Sequence, residues 1–115
     1  MAFGSIQTIV PAAAYTATAN GPSSVWDGNP GEWLSILIAV TAASGTTPTL
    51  DCKVQWSFDG VTFVDAETAD SFAQITGVKS VVKQFVVKGP LYRLVYTIGG
   101  TTPSFTFSAS TYVTD

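Results

Sequence analysis

An all-β protein is what this sequence predicts: short strands punctuated by turn signals, arranged as an antiparallel two-sheet sandwich or a barrel with almost no helix. Three observations carry that reading. Residues 50–58 read Leu-Asp-Cys-Lys-Val-Gln-Trp-Ser-Phe, with Leu50, Cys52, Val54, Trp56 and Phe58 on one side and Asp51, Lys53, Gln55 and Ser57 on the other. Successive side chains of an extended chain point to opposite faces, so this period of two marks a half-buried strand. The next pair, Asp59-Gly60, is a hairpin signal, because both central residues of a type I′ turn need positive φ. Finally, no stretch of ten or more residues carries an apolar stripe at helical spacing.

Taken in order, residues 6–10 form a short apolar stretch ended by Pro11. Residues 12–19 are alanine-rich, which favours helix, yet β-branched Thr16 and Thr18 alternate with Tyr15 and Ala17, so a strand or extended arm is predicted. Residues 20–24 make a turn, and 26–31 a second loop of residues that tolerate unusual backbone angles. In residues 34–42, Leu34, Ile36, Ile38, Val40 and Ala42 face one way. The opposite face, Ser35, Leu37, Ala39 and Thr41, is only half polar, which predicts a strand that is central or covered on both sides. Residues 44–49 read as a loop carrying Pro48. After strand 50–58 and its turn come a return strand at 61–65, a polar loop at 67–71 and a short strand at 72–76.

Gly77 turns the chain into residues 80–88, where Val81, Phe85 and Val87 oppose Val82, Gln84 and Val86, and Gly89-Pro90 ends the strand. Residues 91–98 place Tyr92, Leu94, Tyr96 and Ile98 on one face. The run Gly99-Gly100-Thr101-Thr102-Pro103 is predicted to close a second hairpin into 104–113, where Phe105, Phe107, Ala109 and Val113 alternate with Ser104, Thr106, Ser108 and Ser110. The count is about eight or nine strands. They form one domain, with residues 1–33 as an N-terminal arm or first strands and loops and 34–115 as the β-sandwich body.

A chain of 115 residues can bury a core without disulfides or a structural metal. Apolar residues make up 46% of it, but charged residues only 11%, against about 25% in a usual soluble domain. Such a deficit argues that part of the surface is covered by copies of the chain or by a partner, the other reading being a small domain solvated by its many Ser and Thr hydroxyls. A net charge of −3 and five scattered basic residues argue against nucleic acid, whose phosphates call for clustered Lys or Arg. The longest apolar run, 34–43, is too short to span a membrane, which takes about 20 residues. The N-terminus lacks a basic region followed by an apolar stretch, so the chain is expected to be made in the cytoplasm and either to stay there or to leave inside a larger assembly.

Chemistry-bearing residues are few. With no histidine, the common Ser and Cys triads are excluded, and a paired-carboxylate glycosidase would need a deep cleft that a chain this short can scarcely build. No enzymatic activity and no cofactor are expected. Cys52 lies on the inward phase of its strand and reads as a small core residue. Asp65, Glu67 and Asp70 share one loop, and such oxygens suit calcium, but their spacing matches no ligand code and a solvated loop is expected. Asp27-Gly28-Asn29 is explained by turn formation. Trp26 and Trp33 flank a Gly/Pro-rich loop, where they could stack on sugar rings or serve as core plugs or subunit contacts; Trp56 reads as core.

The runs Cys52 through Phe63, Phe72-Ala73-Gln74-Ile75-Thr76 and Leu91 through Phe107 resemble small structural proteins of tailed bacteriophages, in particular capsid decoration (cement) proteins with a jelly-roll-like β-sandwich. The resemblance spans residues 34–110 and is one of pattern rather than of a diagnostic motif. It implies a virion protein on the exterior of the head, a homotrimer, with the major capsid protein as partner. A glycan-binding or adhesion module of a phage tail or secreted protein is the alternative. The candidate capsid or subunit contacts are Phe3, Ile6, Ile9, Trp26 and Trp33. The first three precede Pro11 without a regular alternation to bury them, so removal of residues 1–10 is expected to leave a folded body that no longer binds capsids; an ordinary edge strand is the competing reading.

Overall fold

Two long runs of alternating apolar residues, 33–57 and 91–114, dominate the fold because each becomes one nearly continuous strand. A computed structural model describes residues 6–17, 19–20, 24–25 and 33–114. Among them are the strands β1 (Gln7–Tyr15), β2 (Ala19–Asn20), β3 (Ser24–Val25), β4 (Trp33–Ser57), β5 (Asp70–Ser71), β6 (Lys79–Val86) and β7 (Leu91–Thr114), and no helix. Every pairing is antiparallel. The all-β prediction is met.

β4 and β7 pair along their whole length, from Trp33 opposite Thr114 to Ser57 opposite Leu91. A straight strand of 25 residues would run about 80 Å. The longest dimension of the molecule is 44 Å, so the ribbon must bend. It bends at two copies of one tetrapeptide, Gly45-Thr46-Thr47-Pro48 and Gly100-Thr101-Thr102-Pro103, which cross where Thr46 pairs with Thr101. The copies are related by a near-twofold: Gly45 and Gly100 have φ of 112° and 110°, and Thr47 and Thr102 have 47° and 46°. A Cβ on Gly45 would lie 2.7 Å from the Thr102 carbonyl oxygen, and one on Gly100 2.8 Å from that of Thr47. Only glycine combines that backbone angle with so close an approach.

Beyond the corner the ribbon folds back on itself. The Tyr92 hydroxyl lies 2.7 Å from that of Thr111, and the Tyr96 and Phe107 rings are 5.3 Å apart, although each pair belongs to one strand. Different strands flank the two halves. Residues 33–40 of β4 pair with β6, and residues 105–111 of β7 with β1. In the other half, β5 and isolated bridges at Val64 and Ile75 flank β4, while β2 and β3 flank β7. Leu34, Ile36, Ile38 and Val40 point inward from one half, and Leu50, Cys52, Val54 and Trp56 from the other. Tyr92, Leu94 and Tyr96 meet Phe105, Phe107, Ala109 and Val113 in the same cluster.

Several local expectations are corrected. Residues 99–103 do not close a hairpin: 91–99 pairs with 49–57 and 101–114 with 33–46, so this run and the expected loop at 44–49 form the ribbon's corner. Turn chemistry is the same in both cases, because each needs a positive φ and a proline that declines the ladder. At Asp59-Gly60 only glycine has positive φ, which excludes type I′. Instead the Asp59 carboxylate accepts hydrogen bonds from the Val61 and Thr62 amides. Strand 50–58 ends at Ser57, leaving Phe58 exposed rather than inward. The return strand at 61–65 reduces to a bridge between Val64 and Trp56, and the strand at 72–76 to a bridge at Ile75. The alanine-rich run is strand only through Tyr15, ending before the β-branched Thr16 on which the strand reading relied.

Candidate functional site

What β4 and β7 present outward differs sharply between the two halves of the ribbon. From 51 to 57 the outward residues of β4 are Asp51, Lys53 and Gln55, and they are tied into a polar network. Asp65 accepts from Lys53 at 3.0 Å and from the Gln55 amide at 3.1 Å. Gln55 in turn accepts from Arg93 at 3.0 and 2.7 Å, and the Arg93 guanidinium lies 4.4 Å from the centre of the Phe63 ring. Gln74 reaches Asp51, and Asp70 accepts from the Trp56 indole at 2.8 Å and from Lys88.

The electrostatics follow from those partners. The hydrogen bond from Lys53, then that from Gln55, holds the Asp65 carboxyl below its usual range. Asp59 is lowered chiefly by the Thr62 and Val61 amides. The Cys52 thiol is pushed up to about 12 by burial and then by the Asp51 charge, which keeps it protonated and unreactive. Tyr96 is raised by burial and then by Tyr15. The loop from Asp65 to Asp70, the one place where carboxylates gather in sequence, spends Asp65 on Lys53 and Asp70 on Trp56 and Lys88. Among the described residues, no group of three or more His, Cys, Asp or Glu side chains is placed to hold a metal ion.

The other half has a neutral outer face. Ser35, Leu37 and Ala39 of β4 alternate with the buried Leu34, Ile36, Ile38 and Val40. Val82, Gln84 and Val86 of β6 and Ser108, Ser110 and Tyr112 of β7 stand beside them by register. None of these is charged. Leu37, Val82 and Tyr112 are 40%, 70% and 42% exposed, and with Ile6 they line a shallow apolar groove of about 270 Å³. The half-polar outer face read from residues 34–42 is real; β4 is central in its hydrogen bonding, but the described residues leave Leu37 partly exposed.

Of the residues expected to make contacts, Ile6 is exposed at the groove's rim. Ile9 is corrected: it is fully buried, as is Val10, because β1 is an edge strand on β7 that turns both side chains into the core. Removal of residues 1–10 would therefore strip core as well as surface, and cannot isolate an arm. Trp33 is half-buried and sits between Val86 and Thr114 in register. Phe3 and Trp26, like the loop at 27–29, lie outside the described residues. Sequence reasoning missed Leu37, Val82 and Tyr112 as surface residues, and also Phe58 and Val61, exposed at 79% and 84% on the Asp59 turn. The signal for the first three was present as apolar residues on the outward phase of their strands.

Among the described residues, no helix is long and apolar enough to cross a membrane. No protein-family model matches the chain, and no curated protein matches its sequence.

Proposed function

We propose that this chain is a non-enzymatic virion structural protein, a decoration protein on the exterior of a phage head that stabilises the shell by bridging neighbouring major capsid subunits. We further propose that its fold is a jelly-roll-like two-sheet sandwich. In support of the fold, one half of the ribbon gives the order β6-β4-β7-β1 and the other β5-β4-β7 with β2 and β3 beyond, the kind of antiparallel winding a jelly roll makes when a long ribbon folds over itself. The observation that carries the function is the contrast of surfaces: a neutral apolar outer face on a fold whose described carboxylates at Asp51, Asp65 and Asp70 are taken up by neighbours. A surface of that kind serves contact rather than turnover.

Bridging stabilises a shell because separating two subunits then also exposes the area each buries against the decoration protein. A stable contact buries on the order of 1,200–2,000 Å², and engaging two neighbours at once raises apparent affinity without new contact chemistry. The test is to mix the purified chain with undecorated expanded heads and measure copies bound per shell subunit. Saturable binding at a fixed ratio, with heads surviving a higher temperature, is expected. No binding to heads, together with retention on a glycan array, would replace this reading with the adhesion module.

A further inference from the structure

We propose that Asp59-Gly60 is a latent aspartate-isomerisation site and that the buried Ser57 side chain holds it unreactive. Aspartate before glycine is the pair in which this chemistry is easiest, because no Cβ on the second residue hinders its amide nitrogen. The Gly60 nitrogen attacks Cγ of Asp59, its proton is lost and the carboxyl oxygen leaves as water, which closes a five-membered succinimide. Water then opens the ring at one of its two carbonyls. Opening at Cγ restores aspartate; opening at the main-chain carbonyl gives isoaspartate, whose backbone runs through Cβ and Cγ. One water leaves and one is taken up, so the mass is unchanged and the backbone gains a methylene. The turn itself demands this hazardous pair. Gly60 has φ of 78°, and the Asp59 carboxylate is the acceptor for the Val61 and Thr62 amides at 2.9 and 2.8 Å. Glycine is needed there for its backbone angle and not for space, since a Cβ would meet only Leu91 at 3.6 Å.

One hydroxyl engages both reacting groups. Ser57 is only 1% exposed, and its side chain is aimed into the turn. Its Oγ accepts the Gly60 N–H at 2.9 Å, which occupies the nucleophile, and donates to the Asp59 carboxylate at 3.1 Å, which fixes the electrophile. The Asp59 amide adds a third bond to the same oxygen at 3.3 Å. Turning the carboxylate toward the Gly60 nitrogen breaks its bonds to Ser57, Val61 and Thr62 together. An ionised carboxyl also gives up oxygen far less readily than a neutral one, and the Thr62 and Val61 amides hold Asp59 below its usual range. What this protects lies just downstream. An isoaspartate would put an extra methylene into the connection closed by the Trp56–Val64 bridge, whose two backbone bonds are 2.9 and 3.0 Å long. Phe63, beside Arg93, and Asp65, bound to Lys53 and Gln55, lie on the same segment. Isomerisation at this one bond would therefore loosen the polar network of the charged half.

The inference does not rest on shell binding, so heads play no part in its test. The full chain is incubated at neutral pH, folded in buffer and unfolded in guanidinium chloride. Isoaspartate at residue 59 is followed by peptide mapping with electron-based fragmentation, which separates it from Asp27-Gly28, the other Asp-Gly pair in the sequence. The folded chain should isomerise at least about ten-fold more slowly than the unfolded one, the slowing expected when a hydrogen bond to a charged group must be broken to react. Ser57→Ala should remove most of that protection, while hydrogen exchange at the Trp56 and Val64 amides stays slow. Asp59→Asn keeps an oxygen for the Val61 and Thr62 amides and cyclises by losing ammonia, with no carboxyl charge involved. Its deamidation should also be slower folded than unfolded, and it decides the matter if Ser57→Ala fails to fold. Equal rates in the folded and unfolded chain, or a folded Ser57→Ala no faster than the parent, would overturn the proposal. So would a faster Ser57→Ala whose Trp56 and Val64 amides have lost their protection, because the turn as a whole would then be the guard.

Discussion

The two halves of the β4–β7 ribbon are made from the same pair of strands, yet they meet solvent in opposite ways. One half, at 50–57 and 91–99, carries Asp51, Lys53, Gln55 and Arg93 outward and binds them to Asp65, Gln74 and Phe63. The other, at 33–44 and 104–114, has no charged residue at all. Their inward faces are alike, both aliphatic and aromatic and both packed in one cluster. The comparison teaches that the alternation of a strand fixes only which side chains enter the core. The outward phase is free of that constraint, so its chemistry records what the surface is for. On the proposed reading, the charged and internally hydrogen-bonded surface is kept for water and the neutral one for contact.

The largest effects test whether the inward faces really are equivalent. Leu34→Ala in the neutral half and Leu94→Ala in the charged half both delete a fully buried side chain. Each should lower the unfolding free energy by about 2–5 kcal/mol, measured by urea denaturation. Comparable losses in a single transition are expected of one core. A cost below about 1 kcal/mol for either would break the comparison, by showing that half to be loosely packed.

The core was legible in the sequence for a physical reason. Burial imposes a period of two, and the inward sets at 50–56, 92–96 and 105–113 were read in the right phase because one face of each strand must be apolar. The misreadings fell where burial imposes no period. Phe58 continues the alternation on paper, but the Asp59 carboxylate captures the Val61 and Thr62 amides and the ladder stops at Ser57. Residues 99–103 were read as a hairpin because glycine and proline announce a change of direction without saying whether the chain reverses or turns a corner. The signal that separates the two was the second Gly-Thr-Thr-Pro at 45–48, fifty-five residues upstream of 100–103. The neutral face was half legible, in the apolar residues opposite the inward set of 34–42, but its continuation onto Val82 and Tyr112 depends on strand neighbours that only the fold supplies.

A middle-sized effect belongs to the joint between the halves. Gly45→Ala and Gly100→Ala would each place a Cβ under 3.0 Å from a carbonyl oxygen at a φ that side chains avoid. Each should cost about 1–3 kcal/mol of stability. The near-twofold makes the two costs similar, since the φ values and Cβ approaches nearly match. Gly77→Ala is the control, since a Cβ there meets nothing within 4 Å and its backbone is not left-handed. Unequal costs at Gly45 and Gly100 would mean that one half yields to the strain and the other does not, which would locate the stiffer half directly.

The smallest effect separates the halves by pH. Asp65 and Asp59 have folded-state pKa values below their ordinary 3.8, the first through Lys53 and Gln55 and the second through the Thr62 and Val61 amides. A carboxyl that is a stronger acid when folded binds fewer protons in the native state than in the unfolded one between the two values. Its contribution is therefore complete above the unfolded pKa and is lost as pH falls through the folded one. Both groups are solvent-exposed, so screening keeps the effect modest. The melting temperature should be flat from neutral pH down to about pH 5 and should decline below about pH 4. Asp65→Asn should remove part of that decline while lowering the plateau slightly, because the amide keeps a hydrogen-bond acceptor for Lys53 but not the charge. The corresponding stretch of the neutral half, 33–44 and 104–114, holds no carboxylate, so Ser108→Ala there should shift the whole curve without changing its acid slope. An acid slope unchanged in Asp65→Asn would show that the Lys53–Asp65 pair decorates the charged half rather than stabilising it.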